Sequence, residues 1–338
     1  MKISILSVQD HYPEHGQRTV AELYEQVLTQ AECAEQYGYD GFFVAEHHFH
    51  EYGAVPNPAV MLASMAQRTR RIRLGSAISI LTFHNPLTVA ETYGMLDNLC
   101  GGRLVFGVGS GYLKHEYEGY NIDAQTKRDR FDENLALVER LVRGERVSFE
   151  GKYNSINAVR INSPAVQKDL PLHVAVLRRE AAYHVGRQGR PIMCVPYASL
   201  DSVDQVGELM ADYHRGREEV GLRDHAGKAM IAMHTHVAET DEAARAIAAP
   251  PFDLYVATRL YAKRAVYDDI IRSGLSLFGS VDTVVDKMVR LYEAGVDHVM
   301  ALQNFGLMPP EQVDRSMRLL AEEVMPRVQA RIGVAQAA

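Results

Sequence analysis

What most constrains this chain is an alternation. Short apolar runs and amphipathic stretches with helical spacing follow one another eight times, with no linker and no break in composition between them. Apolar runs of about four to eight residues read as buried strands, and recurrence at i, i+3, i+4 and i+7 reads as helix. The strand-like runs are 2–8, 42–45, 72–81, 103–108, 172–177, 191–195, 229–237 and 296–302. The first helical stretch, Thr19–Tyr37, places Leu23, Val27, Ala31 and Ala34 on one face and meets a stop at Gly38. Strict alternation means a parallel sheet with helices outside it. Eight units favour closure into an α/β fold of the (β/α)8 barrel type over an open sheet.

The chain has 338 residues, so one barrel with insertions accounts for 1–330 as a single domain. Residues 146–164 break the rhythm: they alternate and turn at Glu150-Gly151-Lys152, as a β-hairpin insertion does. Residues 251–279 break it again, with Tyr255, Tyr261, Tyr267, Phe278 and many charges. They read as a second insertion, either a lid over the barrel mouth or aromatic packing against the barrel. A last helix runs from about Pro310 to Met325, and 331–338 read as a flexible tail.

A net charge of −7 with scattered basic residues argues against a general nucleic-acid partner. No apolar run approaches the roughly 20 residues that span a bilayer, and the first residues lack a signal-peptide layout. Cys33, Cys100 and Cys194 stand singly, without a CxxC pair, which suits a reducing compartment. The expectation is a cytoplasmic protein.

In a (β/α)8 barrel the chemistry sits past the C-terminal ends of the strands. The second strand ends abruptly in Glu46-His47-His48-Phe49-His50-Glu51. Its His48-x-His50 spacing, with a second pair His234-x-His236 in the seventh strand, is open to a metal-dependent hydrolase reading. No carboxylate is placed by sequence to complete that ligand set. Two other readings stand beside it: rim histidines that only hydrogen-bond, or a histidine serving as acid, base or donor to an organic cofactor. After the fourth strand, Gly107-Val108-Gly109-Ser110-Gly111 is either a plain turn or an anion site made of bare N–H groups. It runs on into Tyr112-Leu113-Lys114 and completes no dinucleotide fingerprint, so a mononucleotide phosphate fits it better. Arg178 and Arg179 stand where the fifth strand passes into a helix. That is a poor place for cations in a helix dipole and a good one for gripping phosphate, unless they are a solvated pair. Arg178, nearer the strand end, is the better placed.

Taken in order, Glu46-His47-His48-Phe49, Leu87–Arg103 (LTVAETYGMLDNLCGGR), Phe106–Gly111 with Tyr112, Glu116-Tyr117-Glu118-Gly119, Val237–Ala243, Asn304-Phe305-Gly306 and Glu323-Val324-Met325-Pro326 spell a pattern. Through them the chain resembles the bacterial luciferase-like flavin-dependent monooxygenases, from Met1 to about Val328. The resemblance implies a (β/α)8 barrel and an FMN-type, two-component enzyme. It implies reduced FMN (FMNH2) from a separate NAD(P)H:flavin reductase, O2, a flavin C4a-peroxide, a small organic substrate and a homodimer formed through the second and third helices. His47 falls on the family's active-site histidine, and Glu46 beside the isoalloxazine. Ala77-Ile78 falls where the luciferases have a non-prolyl cis peptide beneath the flavin. Gly109, Ser110, Gly111 and Tyr112 match the loop near the flavin and its phosphate, and Leu177 and Arg178 fall in the phosphate region of strand five. The luciferases have a reactive Cys in place of Gly109 and an Arg in place of Ser110, which makes Arg178 or Arg179 the substitute at the phosphate. Luminescence is not implied, nor is a metal. A deazaflavin-dependent oxidoreductase of the same barrel family is the near alternative.

Overall fold

The computed structural model describes residues 1–15, 18–259 and 265–337. Its first half contains β1 (Lys2–Ser7), α1 (Val20–Tyr37), β2 (Gly41–Val44), α2 (Pro58–Arg68), β3 (Arg73–Ile80), α3 (Pro86–Leu99), β4 (Leu104–Gly109), α4 (Lys114–Gly119) and α5 (Lys127–Val142). The helix starts follow from local chemistry. Thr19 and Glu22 satisfy each other's backbone N–H groups in a capping box. Asn57 and Asn85 cap helices whose first residue is proline.

Next come a hairpin, β5 (Val147–Glu150) paired antiparallel with β6 (Ser155–Val159), then β7 (Leu172–Val176), α6 (Arg179–Arg187), β8 (Ile192–Cys194), α7 (Asp204–Glu219) and β9 (Ala229–Ala238). The chain closes with α8 (Asp241–Ala257), α9 (Tyr267–Ser273), β10 (Ser276–Ser280), α10 (Val281–Glu293), β11 (His298–Leu302), α11 (Pro310–Leu319) and α12 (Met325–Ala337). Eight parallel strands form a closed ring in the order β1-β2-β3-β4-β7-β8-β9-β11, with β11 returning to β1. Each is buried over most of its length, as strands covered on both faces must be. No described helix is long and apolar enough to cross a membrane.

Two expectations need correcting. The described residues of the 251–279 stretch, 251–259 and 265–279, do not form an inserted lid: they hold the end of α8, then α9 and most of β10. β10 is a ninth strand outside the ring, paired in parallel only with the C-terminal half of the ten-residue β9, from Ser276 beside His234 to Ser280 beside Ala238. Its aromatic residues are core. Tyr267 stacks on Phe278 at 5.1 Å, and Phe252 and Phe305 close the cluster around them. Two prolines inside α8, Pro250 and Pro251, give the sequence the look of a break that the helix runs through. Tyr261 lies outside the described residues. The second correction concerns the end of the chain. A π-type turn at Leu320–Val324 joins α11 to α12, and residues 331–337 continue the last helix, with Ile332 buried, where a flexible tail is expected.

Candidate active site

At the C-terminal ends of the ring strands lies a cavity of about 500 Å³. Leu6, Ala175, Met193 and Met300 give it an apolar floor. Around them stand Glu46 and His47 after β2, Ala77 and Ile78 in β3, Gly109 at the end of β4 with Ser110 to Tyr112 after it, and Leu177 and Arg178 after β7. Every site residue expected from sequence faces this space except Arg179. Arg179 starts α6 and turns outward, bonded to Glu208 at 2.6 Å and Asp212 at 2.7 Å on α7. Those carboxylates hold its Nε and Nη1 on the outer side of α6. At the exposed rim Arg178 is joined by Lys127 and Arg128 from the first turn of α5, two cations that sequence reading missed.

The turn after β2 is built by hydrogen bonds. His47 Nδ1 lies 3.1 Å from Glu116 Oε1, which also accepts the His48 backbone N–H at 3.0 Å. The His47 ring stands edge-on to Tyr52 at 4.6 Å. Behind it is Gly53, where a Cβ would come within 2.7 Å of the His47 Cβ, so any larger residue would push the imidazole away. Glu46 is buried, and its two oxygens are occupied. One meets His48 Nε2 at 3.0 Å and His84 Nε2 at 2.6 Å; the other accepts the Ile80 N–H at 2.9 Å. Burial alone would raise this carboxyl, but the hydrogen bonds from His48, His84 and Ile80 and the charge of His84 hold it down at about 2.

The opposite wall carries the two positions that depart from the luciferase pattern, Gly109 and Ser110. The Ala77–Ile78 bond is cis, as the resemblance implies, and the β3–β4 register shifts between Ser76 and Ser79. The Ile78 side chain occupies the space over Gly109. A Cβ there would approach Ile78 Cδ1 to 2.3 Å and Ala175 Cβ to 3.2 Å, so a cysteine would require the Ile78 side chain to turn aside. The loop is held by its backbone: Ser110 O accepts from Thr82 Oγ1 at 3.0 Å and from the Tyr117 hydroxyl. On a further side Tyr52, Tyr112 and Tyr197 line the cavity. Arg259 sits behind them, 4.5 Å above the Tyr197 ring and 4.7 Å above that of Tyr255. Tyr52, Glu116, Tyr197 and Arg259 carry no periodic or motif signal of their own. The run Glu116–Gly119 marks the family, but nothing in it announces a partner for His47.

The four-histidine metal set does not assemble. His50 accepts the Tyr52 N–H at 3.2 Å and lies beside His115, while His234 is enclosed by Tyr197, Phe252, Tyr255 and Phe305. Among the described residues the one cluster with metal-ligand spacing is Glu46, His48 and His84, which contains only one of the four. Both its imidazoles already bond the carboxylate.

Comparison with known proteins agrees with this geometry. The family described as luciferase-like monooxygenase matches residues 1–298, and the chain belongs to that family. The 4-hydroxyprotoasukamycin monooxygenase of Streptomyces nodosus subsp. asukaensis is 29% identical over 322 residues, covering 89% of this chain and 85% of that protein. An F420-dependent glucose-6-phosphate dehydrogenase of Intrasporangium calvum is 32% identical over 171 residues, but spans only 48% of this chain and 51% of its own. Among solved structures, the monooxygenase RslO1 from Streptomyces bottropensis superposes with a TM-score of 0.89 at 28% identity, over 96% of this chain and 99% of that one. The oxygenating constituent of 3,6-diketocamphane monooxygenase from Pseudomonas putida, solved with FMN, has the same fold: TM-score 0.82, 19% identity, 96% and 98% coverage.

Proposed function

We propose that this chain is the oxygenase of a two-component flavin monooxygenase, which takes reduced FMN from a separate NAD(P)H:flavin reductase and uses O2 to oxygenate a small organic substrate. One observation carries the reading: His47, the Ala77–Ile78 bend, the glycine loop and Arg178 all face a single cavity with an apolar floor and a cationic rim. Its size lies within the roughly 300–1,000 Å³ of ligand sites. A flat ring system suits the floor, and a phosphate suits Lys127, Arg128 and Arg178. The FMN bound to the 3,6-diketocamphane enzyme supports the same choice.

Reduced flavin, when bound, supplies the two electrons that let O2 deliver one oxygen atom to the substrate and leave the other as water. The protein's part is positional and protonic. Glu116 engages His47 Nδ1, so Nε2 is the ring nitrogen left to take and return a proton in the cavity. Glu46 positions the turn that carries His47 and fastens it to the end of β3 through Ile80. Leu6, Ala175, Met193 and Met300 keep water from the reacting atoms. We propose a homodimer through α2 and α3, where Val60, Met95 and Leu99 are exposed apolar side chains; sedimentation at two concentrations tests it.

The F420-dependent relative supports a second reading, a deazaflavin-dependent oxidoreductase using the same cavity. Anaerobic titration decides between them. Reduced FMN is expected to bind in preference to reduced F420, and Arg178→Gln to weaken it about tenfold while Arg179→Gln changes it less than about twofold. Tight binding of reduced F420 with no response to reduced FMN would reject the monooxygenase reading.

A further inference from the structure

A second cavity lies at the other end of the barrel, where the strands begin. At about 650 Å³ it exceeds the 500 Å³ of the mouth. Every ring strand except β4 contributes to it at or just before its first residues, from Lys2 of β1 and Arg73 of β3 to His298 of β11. The last turn of α7 and the turn after it supply the remaining wall.

The charge in this cavity opposes that of the chain. The protein carries −7 overall, yet five cationic side chains line the space (Lys2, Arg73, Arg217, Arg223 and Lys228) against two carboxylates, Asp40 and Asp224. Asp40 is already bonded to Lys2 at 3.1 Å. Among the described residues the other four cations form no ion pair. Arg217 is only 3% exposed. Its guanidinium reaches two backbone carbonyls, Asp224 O at 2.7 Å and Gly189 O at 3.4 Å, and its Nε is buried without a partner. A buried guanidinium without a counter-charge is costly. His173, 4% exposed on the same wall, has a buried Nδ1 without a partner. Burial first of all, then the nearby charges of Lys228 and Arg73, pushes it down to about 3, and both of those cations line the same cavity. The beginnings of barrel strands ordinarily serve stability. Unpaired like charges do the reverse, so their convergence here points to an anion that completes the site.

We propose that this basal cavity binds a phosphate group, with Arg73, Arg217 and Lys228 as its cationic partners. The site is independent of the cavity at the mouth and does not rest on the function proposed for it. The test is calorimetric titration with inorganic pyrophosphate at about 0.1 M salt. The full chain carries Lys127→Gln, Arg128→Gln and Arg178→Gln, so that the cations of the mouth do not take the probe. Saturable binding at one site, with Kd below about 1 mM, is expected. Adding Arg73→Gln and Lys228→Gln should weaken it at least about tenfold. Neither of these two side chains is buried, and a far-ultraviolet circular dichroism spectrum verifies that the variant folds. Displacement of the probe by AMP would assign a phosphate ester as the natural ligand, and displacement by inorganic phosphate alone would assign the free anion. No saturable heat, binding unaltered by the Arg73 and Lys228 substitutions, or displacement by chloride as readily as by phosphate would overturn the site.

Discussion

Past β2, His48 Nε2 lies 3.0 Å from Glu46, its Nδ1 lies 3.2 Å from the Tyr120 hydroxyl, and His47 Nδ1 lies 3.1 Å from Glu116. Inside β9, His234 and His236 are as deeply buried as any residue of the core, and none of their four ring nitrogens has a partner among the described residues. Both segments show the same His-x-His spacing. The first stands where the strand has ended and the backbone turns, with Phe49 at φ 60, so neighbouring side chains reach different partners. The second stands in regular strand, where i and i+2 share a face, and that face is packed with hydrocarbon. Position relative to the strand end therefore separates a histidine that can move protons from one that is held neutral.

The sharpest way to break this contrast is at His47. His47→Ala is expected to leave the fold intact and to cut product formation, coupled to a flavin reductase, NADH and FMN, by about 10²-fold or more. Product yield equal to that of the parent enzyme would remove His47 from the chemistry.

The next effect is one of pH and belongs to β9. Burial lowers His236 from 6.5 to about 4. Between those values the unfolded chain takes up a proton that the folded chain refuses. The stabilisation is therefore complete above about pH 6.5 and is lost as pH falls toward 4, by roughly 3 kcal/mol. His236→Leu should lack this loss, so its urea midpoint should rise relative to that of the parent as the pH drops through that window. Parallel midpoints would mean that His236 takes up its proton in the fold as readily as in the unfolded chain.

Glu46 titrates in the same sense and lower down. Its folded value of about 2 lies below the model-peptide value of 4.5, so its contribution is whole above about pH 4.5 and fades as pH falls toward 2. Glu46→Gln should cost on the order of 2 kcal/mol at neutral pH, since an amide satisfies His48, His84 and the Ile80 N–H less well than a carboxylate. The difference from the parent should shrink below about pH 4.5. A cost that is independent of pH would show that the shape of the side chain matters and its charge does not.

Much of this was legible in the sequence. The eight-strand alternation gave the ring because each run is apolar throughout, as strands covered on both faces are. The helix caps at Thr19, Asn57 and Asn85 are local hydrogen bonds between near neighbours. What escaped the reading was long-range. Glu116 and His84 are 69 and 38 residues from the turn they hold, and no local pattern pairs them with it. β10 escaped because Ser-Leu-Phe-Gly-Ser is short, contains glycine and lies outside the ring. Arg178 and Arg179 are adjacent and chemically alike. Only the direction in which α6 leaves the barrel turns the first to the cavity and the second to Asp212.

The smallest expected effect lies at His234. Aromatic rings surround it, and the ring of Tyr197, 4.2 Å away, is the layer between it and the cavity. Removing two buried nitrogens that make no hydrogen bond forfeits nothing polar and relieves their desolvation. His234→Phe should therefore shift stability by less than about 1.5 kcal/mol in either direction, the strain of the larger ring offsetting the gain. Product formation should stay within about twofold of the parent. A loss of activity approaching that of His47→Ala, with unchanged stability, would place His234 in the chemistry and end the distinction between the two histidine segments.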